Sequence, residues 1–287
     1  MQDSFKRTVL SIAAVVVIAA IITNLSGAGR QTADAGKGAD SAATHANGKT
    51  LSAGSDNLDL RNIVKAKIDG TLIEHKGYTL MYDKDYSTPC WVAWELTSGE
   101  SQTNTVSRKG YDFIPDDDLP YQYQVVSDDY RHSGYDRGHM CPAGDMKWDS
   151  DAMHDCFYMT NICPQVPVLN QRWWEHLESS CRRWAVTEGA IYVVCGPIYQ
   201  TATPTHIGRE HMIAVPDAFY KVVISLNAGR EKGIGFYYTN SEDRQTMESA
   251  ARTIDQIEEL TGYDFFPELA DTLESRIEAM NSLRAWK

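Results

Sequence analysis

The chain has 287 residues, 43% of them hydrophobic, which is enough for one large or two small globular domains with a buried core. Lys and Arg number 27 against 39 Asp and Glu, and the formal charge of −12 argues against a broad basic surface that grips nucleic acid. Any phosphate-binding role must therefore rest on a few local cations.

At the N-terminus, Lys6 and Arg7 precede an uncharged stretch over residues 9–25, interrupted only by Ser11, Thr23 and Asn24. A basic segment followed by an apolar core is the pattern of a signal peptide, removed at a small-residue site such as SGAG (26–29). The stretch is also close to the roughly 20 residues of a membrane span, so residues 1–25 read as a signal peptide or an N-terminal membrane anchor. Either reading exports the remainder to the periplasm, to the exterior, or to the outer side of the inner membrane. Residues 26–57 are rich in small and polar side chains, cannot repay the entropy of ordering, and are expected to form a flexible linker. A single folded domain is then expected over 58–287.

Within that domain, alternating or continuous apolar runs predict strands at YTLMY (78–82), WVAWELT (91–97), IYVVCG (191–196), FYKVVISL (219–226) and GIGFYYT (233–239). Helical spacing of Trp173, Trp174, Leu177, Cys181 and Trp184 predicts a helix over 171–188 with one buried stripe. Further helices are expected over 246–260 and 267–283. Strands and helices mix without strict βαβ alternation, which gives an α+β fold with a mainly antiparallel central sheet flanked by helices. No internal repeat, P-loop or Rossmann glycine pattern occurs.

Six cysteines, at 90, 141, 156, 163, 181 and 195, form no CxxC. An even number in an exported chain predicts at least one disulfide, although Cys195 in the apolar run IYVVCG reads equally as a small buried hydrophobe.

Chemistry concentrates between residues 130 and 183, where Asp136, Arg137 and His139 fall within four positions. Hydrolysis of a phosphodiester needs a base that titrates near neutrality, a cation against the phosphoryl oxygens and help for the leaving oxygen. His139 suits the first need, and Gly138 beside it permits a close backbone approach. Further on, Asn170 opens the helix and Glu178 lies eight residues later, roughly 80° around from it in a regular helix. An amide oxygen and a carboxylate make a sparse hard-oxygen site suited to Mg²⁺. Plainer roles exist for each residue: a core histidine for His139, a helix N-cap for Asn170, a surface pair for Glu178 with Arg182, and core packing for Trp173, Trp174 and Trp184.

The ordered string DRGH (136–139), TNICPQ (160–165) and LNQRWWEHLE (169–178) resembles the DNA/RNA non-specific endonuclease family, the endonuclease G-like ββα-metal nucleases. The resemblance extends from His75 to about Glu278. It implies His139 as general base, Asn170 as the direct ligand of Mg²⁺ (with Mn²⁺ or another divalent ion open), and Glu178 reaching the metal through water. It further implies Arg137 and Arg182 as phosphate contacts. Arg108 is added by a looser pattern, R-x4-F-x2-D, formed with Phe113 and Asp116. The implied activity is hydrolysis of DNA and RNA with little sequence preference, leaving 5′ phosphates. Homodimers occur among relatives, a state the sequence leaves open. Three rivals also stay open: a catalytically silent binding domain of the same fold, a phosphodiesterase for another substrate, and a zinc or disulfide domain built on His139, Cys141, Cys156 and Cys163.

Overall fold

The computed structural model describes residues 57–287, so the leader and nearly all of the expected linker lie outside the described residues. In chain order, β1 (Val64–Lys65), β2 (Thr71–Glu74), β3 (Thr79–Asp83) and β4 (Thr88–Thr97) lead to the short helix α1 (Ser98–Gln102). β5 (Asp136–His139), α2 (Ser150–Asp155) and β6 (Ile162–Gln165) follow. A wide π turn (Leu169–Trp174) then runs into α3 (Glu175–Glu188). Next come β7 (Ala190–Ile198), β8 (His206–Ile207), β9 (Ile213–Ala214), β10 (Ala218–Ser225) and β11 (Lys232–Thr239). The C-terminal elements are α4 (Met247–Ala250), β12 (Ala251–Arg252), α5 (Ile254–Thr261), β13 (Asp264–Phe265) and α6 (Asp271–Glu278).

Seven strands form one sheet in the order β12-β11-β10-β7-β4-β3-β2, and every neighbouring pair is antiparallel. Side chains alternate across it with period two. Val92, Trp94 and Leu96 of β4, Val193 and Cys195 of β7, and Phe219 and Val223 of β10 face one core together with Leu177, Cys181 and Trp184 of α3. Trp91, Ala93, Val194, Tyr220, Val222 and Ile224 face a second core beneath Ile254 and Ile257 of α5 and Ile277 of α6. The sheet is thus covered on both faces, each large apolar side chain contributing roughly 1.5–3 kcal/mol by its burial.

All five predicted strands form. The helix expected over 246–260 is broken: Ala251 and Arg252 pair with Phe236 and Gly235 of β11. Thr253 then caps a new helix, its side chain accepting from Gln256 N while the Gln256 side chain returns to the Thr253 backbone. The helix expected over 267–283 shortens to α6, with a separate 3-10 turn at Leu283–Trp286. The disulfide expectation is also corrected. All six cysteines are buried free thiols, Cys90 in the second core and the other five in the first, where they pack as small apolar side chains. Burial pushes the thiols of Cys195 and Cys181 up to about 11 and about 12.

Candidate active site

β5 and β6 form a separate antiparallel pair in which His139 lies opposite Ile162. The strand beyond His139 is held from β6's side: Met140 N donates to Asn161 O (2.9 Å), and Cys141 N donates to Asn161 Oδ1 (2.9 Å). The Asn161 amide in turn donates to the carbonyls of Cys141 and Cys156, at 2.8 and 2.9 Å. Asn161 is fully buried and satisfied on both sides of its amide, a structural role within the TNICPQ string. Gly138 leaves room for the buried Gln165 side chain, which a Cβ there would displace. Gly144 likewise leaves room for the Arg182 guanidinium.

The histidine ring is 9% exposed and wedged between Phe113 and Phe157, each with its ring centre 5.2 Å away. Its Nε2 has no hydrogen-bond partner among the described residues. Burial, with the positive charges of Arg108 and Arg137 nearby, pulls the imidazole pKa down to about 3, so the ring is neutral near pH 7. The same two aromatic rings carry the arginines, Arg137 lying 4.7 Å over Phe113 and Arg108 5.5 Å over Phe157. Both guanidinium-bearing residues are exposed, and Arg137 Nη1 also donates to Ser127 Oγ.

Asn170 is not the helix N-cap. It lies inside the π turn, and its backbone N–H already donates to Val166 O at 3.0 Å. A π turn rotates less per residue than an α-helix, which brings Asn170 and Glu178 closer to a common face than regular helical geometry would. Asp136 Oδ2 accepts from Asn170 Nδ2 at 2.9 Å and from Gln171 Nε2 at 2.8 Å. Since a carboxylate only accepts, this fixes the amide and leaves Asn170 Oδ1 without a partner among the described residues.

Glu178 is half-buried at the cleft wall. Burial pushes its carboxyl up to about 8, against the opposing pull of Lys221 and Arg182. Arg182 does not pair with Glu178. Its Nη1 donates to Asp145 Oδ1 at 2.8 Å and its Nη2 to Ser179 Oγ at 2.9 Å. Asp145, fully buried, also accepts from Trp94 Nε1 at 3.1 Å.

Arg108, Arg137, His139, Asn170, Glu178 and Arg182 all line a single cleft of about 400 Å³. The fold thereby gathers residues spread over 75 positions of sequence. Lys147, Gln171 and Glu175 line it too, and none of the three was singled out from the sequence. Four cationic side chains against two acidic ones make the cleft locally positive within an acidic chain, which removes the objection raised by the net charge.

The residues also fit a divalent cation. Asn170 Oδ1 is a fixed, unclaimed hard donor, and the Glu178 carboxylate shares the cleft with it. Elsewhere, two groups of possible ligands converge among the described residues, His75–Asp116–Asp118 and Asp255–Glu258–Glu278. Neither contains His139 or a cysteine, so the zinc reading gains nothing from the geometry.

A family model described as DNA/RNA non-specific endonuclease matches residues 60–272. The chain belongs to that family. Membership places it among nucleic-acid hydrolases, and the antiparallel sheet with the β5–β6–α3 unit is the family's ββα-metal fold. Human mitochondrial endonuclease G is 32% identical over 210 residues, 69% of this chain and 70% of that protein. A nuclease from Nostoc is 30% identical over 222 residues, covering 74% and 78%. Against the mitochondrial nuclease 1 of Schizosaccharomyces pombe identity is 34%, but the match spans only about half of each chain, 53% of this one and 51% of that. Among solved structures, an EndoG/EndoGI complex described for its mechanism of EndoG inhibition aligns with a TM-score of 0.65 and 28% identity. It covers 80% of this chain and 95% of that one.

Proposed function

We propose that the protein is a divalent-metal-dependent endonuclease that hydrolyses phosphodiester bonds of DNA and RNA with little sequence preference. The observation that carries this is the convergence of His139, Asn170, Glu178 and three arginines on one cleft. Asn170 Oδ1 and, through water, Glu178 would hold Mg²⁺ or a similar ion, which when bound supplies positive charge to the phosphoryl and leaving oxygens.

The chain's own residues account for the remaining work. Arg108 and Arg137 engage phosphate oxygens from aromatic platforms that limit their motion. His139 takes a proton from the attacking water. Burial first, and then the charges of Arg108 and Arg137, keep it neutral and able to accept. A bound phosphate would offset the arginines' share of that depression. Contacts to backbone phosphate carry no base information, which supports weak sequence preference.

The test is digestion of plasmid DNA and of RNA by the purified chain, with Mg²⁺ and with a chelator. Cleavage abolished by chelation and by His139→Ala is the expected result. Full cleavage by His139→Ala would remove the histidine from its role, and binding without any shortening of the substrate would favour a catalytically silent domain.

We further propose that residues 1–25 direct export, on the strength of Lys6 and Arg7 followed by the apolar run 9–25. Fractionation of cells producing the full chain decides it, and recovery in the cytoplasm alone would refute it.

A further inference from the structure

Strand β10 carries a lysine where the alternation calls for an apolar residue. Lys221 lies two positions from both Phe219 and Val223, on the cleft side of the sheet, and is fully buried. Its Nζ sits 4.4 Å from the ring centre of Trp174 and 4.9 Å from that of Trp94, and it has no hydrogen-bond acceptor among the described residues. Burial alone would drive off its proton, but the nearby acidic groups Glu178 and Asp145 oppose that loss. A buried ammonium interacting with two indole faces is a strong form of cation–π contact, because no water competes for the charge.

Both indoles are tied to the cleft by their N–H groups. Trp94 Nε1 donates to Asp145, which anchors Arg182. Trp174 Nε1 donates to the backbone carbonyl of His139 at 3.2 Å. One ammonium therefore joins the group that holds the arginine to the group that holds the histidine.

We propose that Lys221 is a positioning residue for the hydrolytic site: clamped between Trp94 and Trp174, it fixes the two indoles that orient the Asp145–Arg182 pair and the His139 backbone. The inference rests on the nuclease reading for its kinetic consequence, whereas the clamp itself can be tested without turnover. An apolar chain of similar length fills the same space without attracting the ring faces, so Lys221→Met separates charge from volume.

Two measurements on the full chain decide the matter. The first is hydrogen exchange of the indole N–H groups by NMR in Lys221→Met. Exchange at Trp94 and Trp174 should quicken at least tenfold while Trp91, in the opposite core, stays within about twofold. Equal rates at all three, or an equal rise at all three, would overturn the clamp whether or not the protein cuts nucleic acid.

The second is cleavage kinetics of Lys221→Met, Trp174→Phe and the double variant, well below their melting temperatures. Lys221→Met should lower kcat at least tenfold with KM within about threefold, and the double variant should lose no more than the worse single one. A wild-type kcat, or losses that multiply in the double variant, would overturn the positioning role. If Lys221→Met does not fold, Trp94→Phe and Trp174→Phe replace it, since each keeps an aromatic ring beside the ammonium while removing the indole N–H along with part of the bicycle. Lowered kcat in both supports the proposal, and unchanged kcat in both overturns it.

Discussion

The two faces of the central sheet bury their carboxylates in opposite ways. On the cleft side, Asp145 and Glu178 lie among cations, with Arg182 bonded to Asp145 and Lys221 acting on both. On the other side, Glu258 of α5 and Glu274 and Glu278 of α6 lie chiefly among further acids, Asp255, Asp264 and Asp271, with Lys65 the opposing cation at Glu274. Burial raises the pKa in both places, Glu178 and Glu278 each reaching about 8, but the cleft carboxyls also face Arg182 and Lys221, which favour the ionised form, whereas the acidic neighbours of Glu278 favour the proton. The cleft therefore depends on its cations to offset buried acid. The opposite face gathers acids around Glu278 and couples stability to pH.

This contrast is sharpened first by removing the histidine. His139→Ala should reduce kcat by roughly 10²–10⁴, the usual contribution of a general base, while the melting temperature falls modestly, because the buried ring is withdrawn from between Phe113 and Phe157. A plasmid-nicking assay beside a thermal melt checks both halves. Arg182→Ala should come next, at about 3–5 kcal/mol of stability, because it leaves the fully buried Asp145 with Trp94 as its one remaining side-chain donor among the described residues. Without the guanidinium, Asp145 can take up a proton, so the loss should be smaller at pH 5 than at pH 8. Equal losses at both would break the claim that charge compensation is what distinguishes the cleft. Smaller again is Asp136→Asn, which no longer dictates the orientation of the Asn170 amide. Metal affinity measured by calorimetry should weaken tenfold to a hundredfold, as for other groups that orient a ligand.

Much of this architecture was legible in the sequence, for identifiable reasons. Strands at 78–82, 191–196 and 233–239 were readable because burial on two faces leaves nearly continuous apolar runs. Four of the six candidate residues, Arg137, His139, Asn170 and Glu178, were readable because an ordered string spaced like DRGH, TNICPQ and LNQRWWEHLE is far more specific than any of its members; Arg182 stands four residues past it and Arg108 came from the looser R-x4-F-x2-D pattern, and the fold brings all six to line one cleft. The π turn was not, since LNQRWW has ordinary helical periodicity and only the backbone shows the widened turn. The partner of Arg182 was missed because Glu178 stands at helical spacing, whereas Asp145 arrives from 37 residues away. The disulfide expectation came from the compartment and the cysteine count, neither of which reports that all six thiols fill core positions. Lys221 did leave a signal, a lone cation two residues from Phe and from Val in a strand with no polar face, but a single charge in a strand usually marks an edge.

The remaining prediction concerns the acidic face. Glu278 is 7% exposed, its Oε1 has no partner among the described residues, and burial with Glu258, Glu274, Asp255 and Asp264 pushes its carboxyl up to about 8. In the unfolded chain the group titrates near its ordinary value of about 4.3, so between these limits the folded state binds the extra proton. Its contribution to stability is thus complete below the unfolded pKa and lost as pH rises through about 8. Glu278→Gln keeps the shape and stays neutral, so it should melt close to wild type at pH 5 and higher than wild type at pH 9. Allowing for solvent screening at the helix surface, the gain should be about 1 kcal/mol, or roughly 2–4 °C. Glutamine must also leave activity at pH 7 unchanged, because α6 lies across the sheet from the cleft. A melting temperature that falls equally between pH 5 and pH 9 in both proteins would place the pH sensitivity elsewhere and remove the contrast between the two faces.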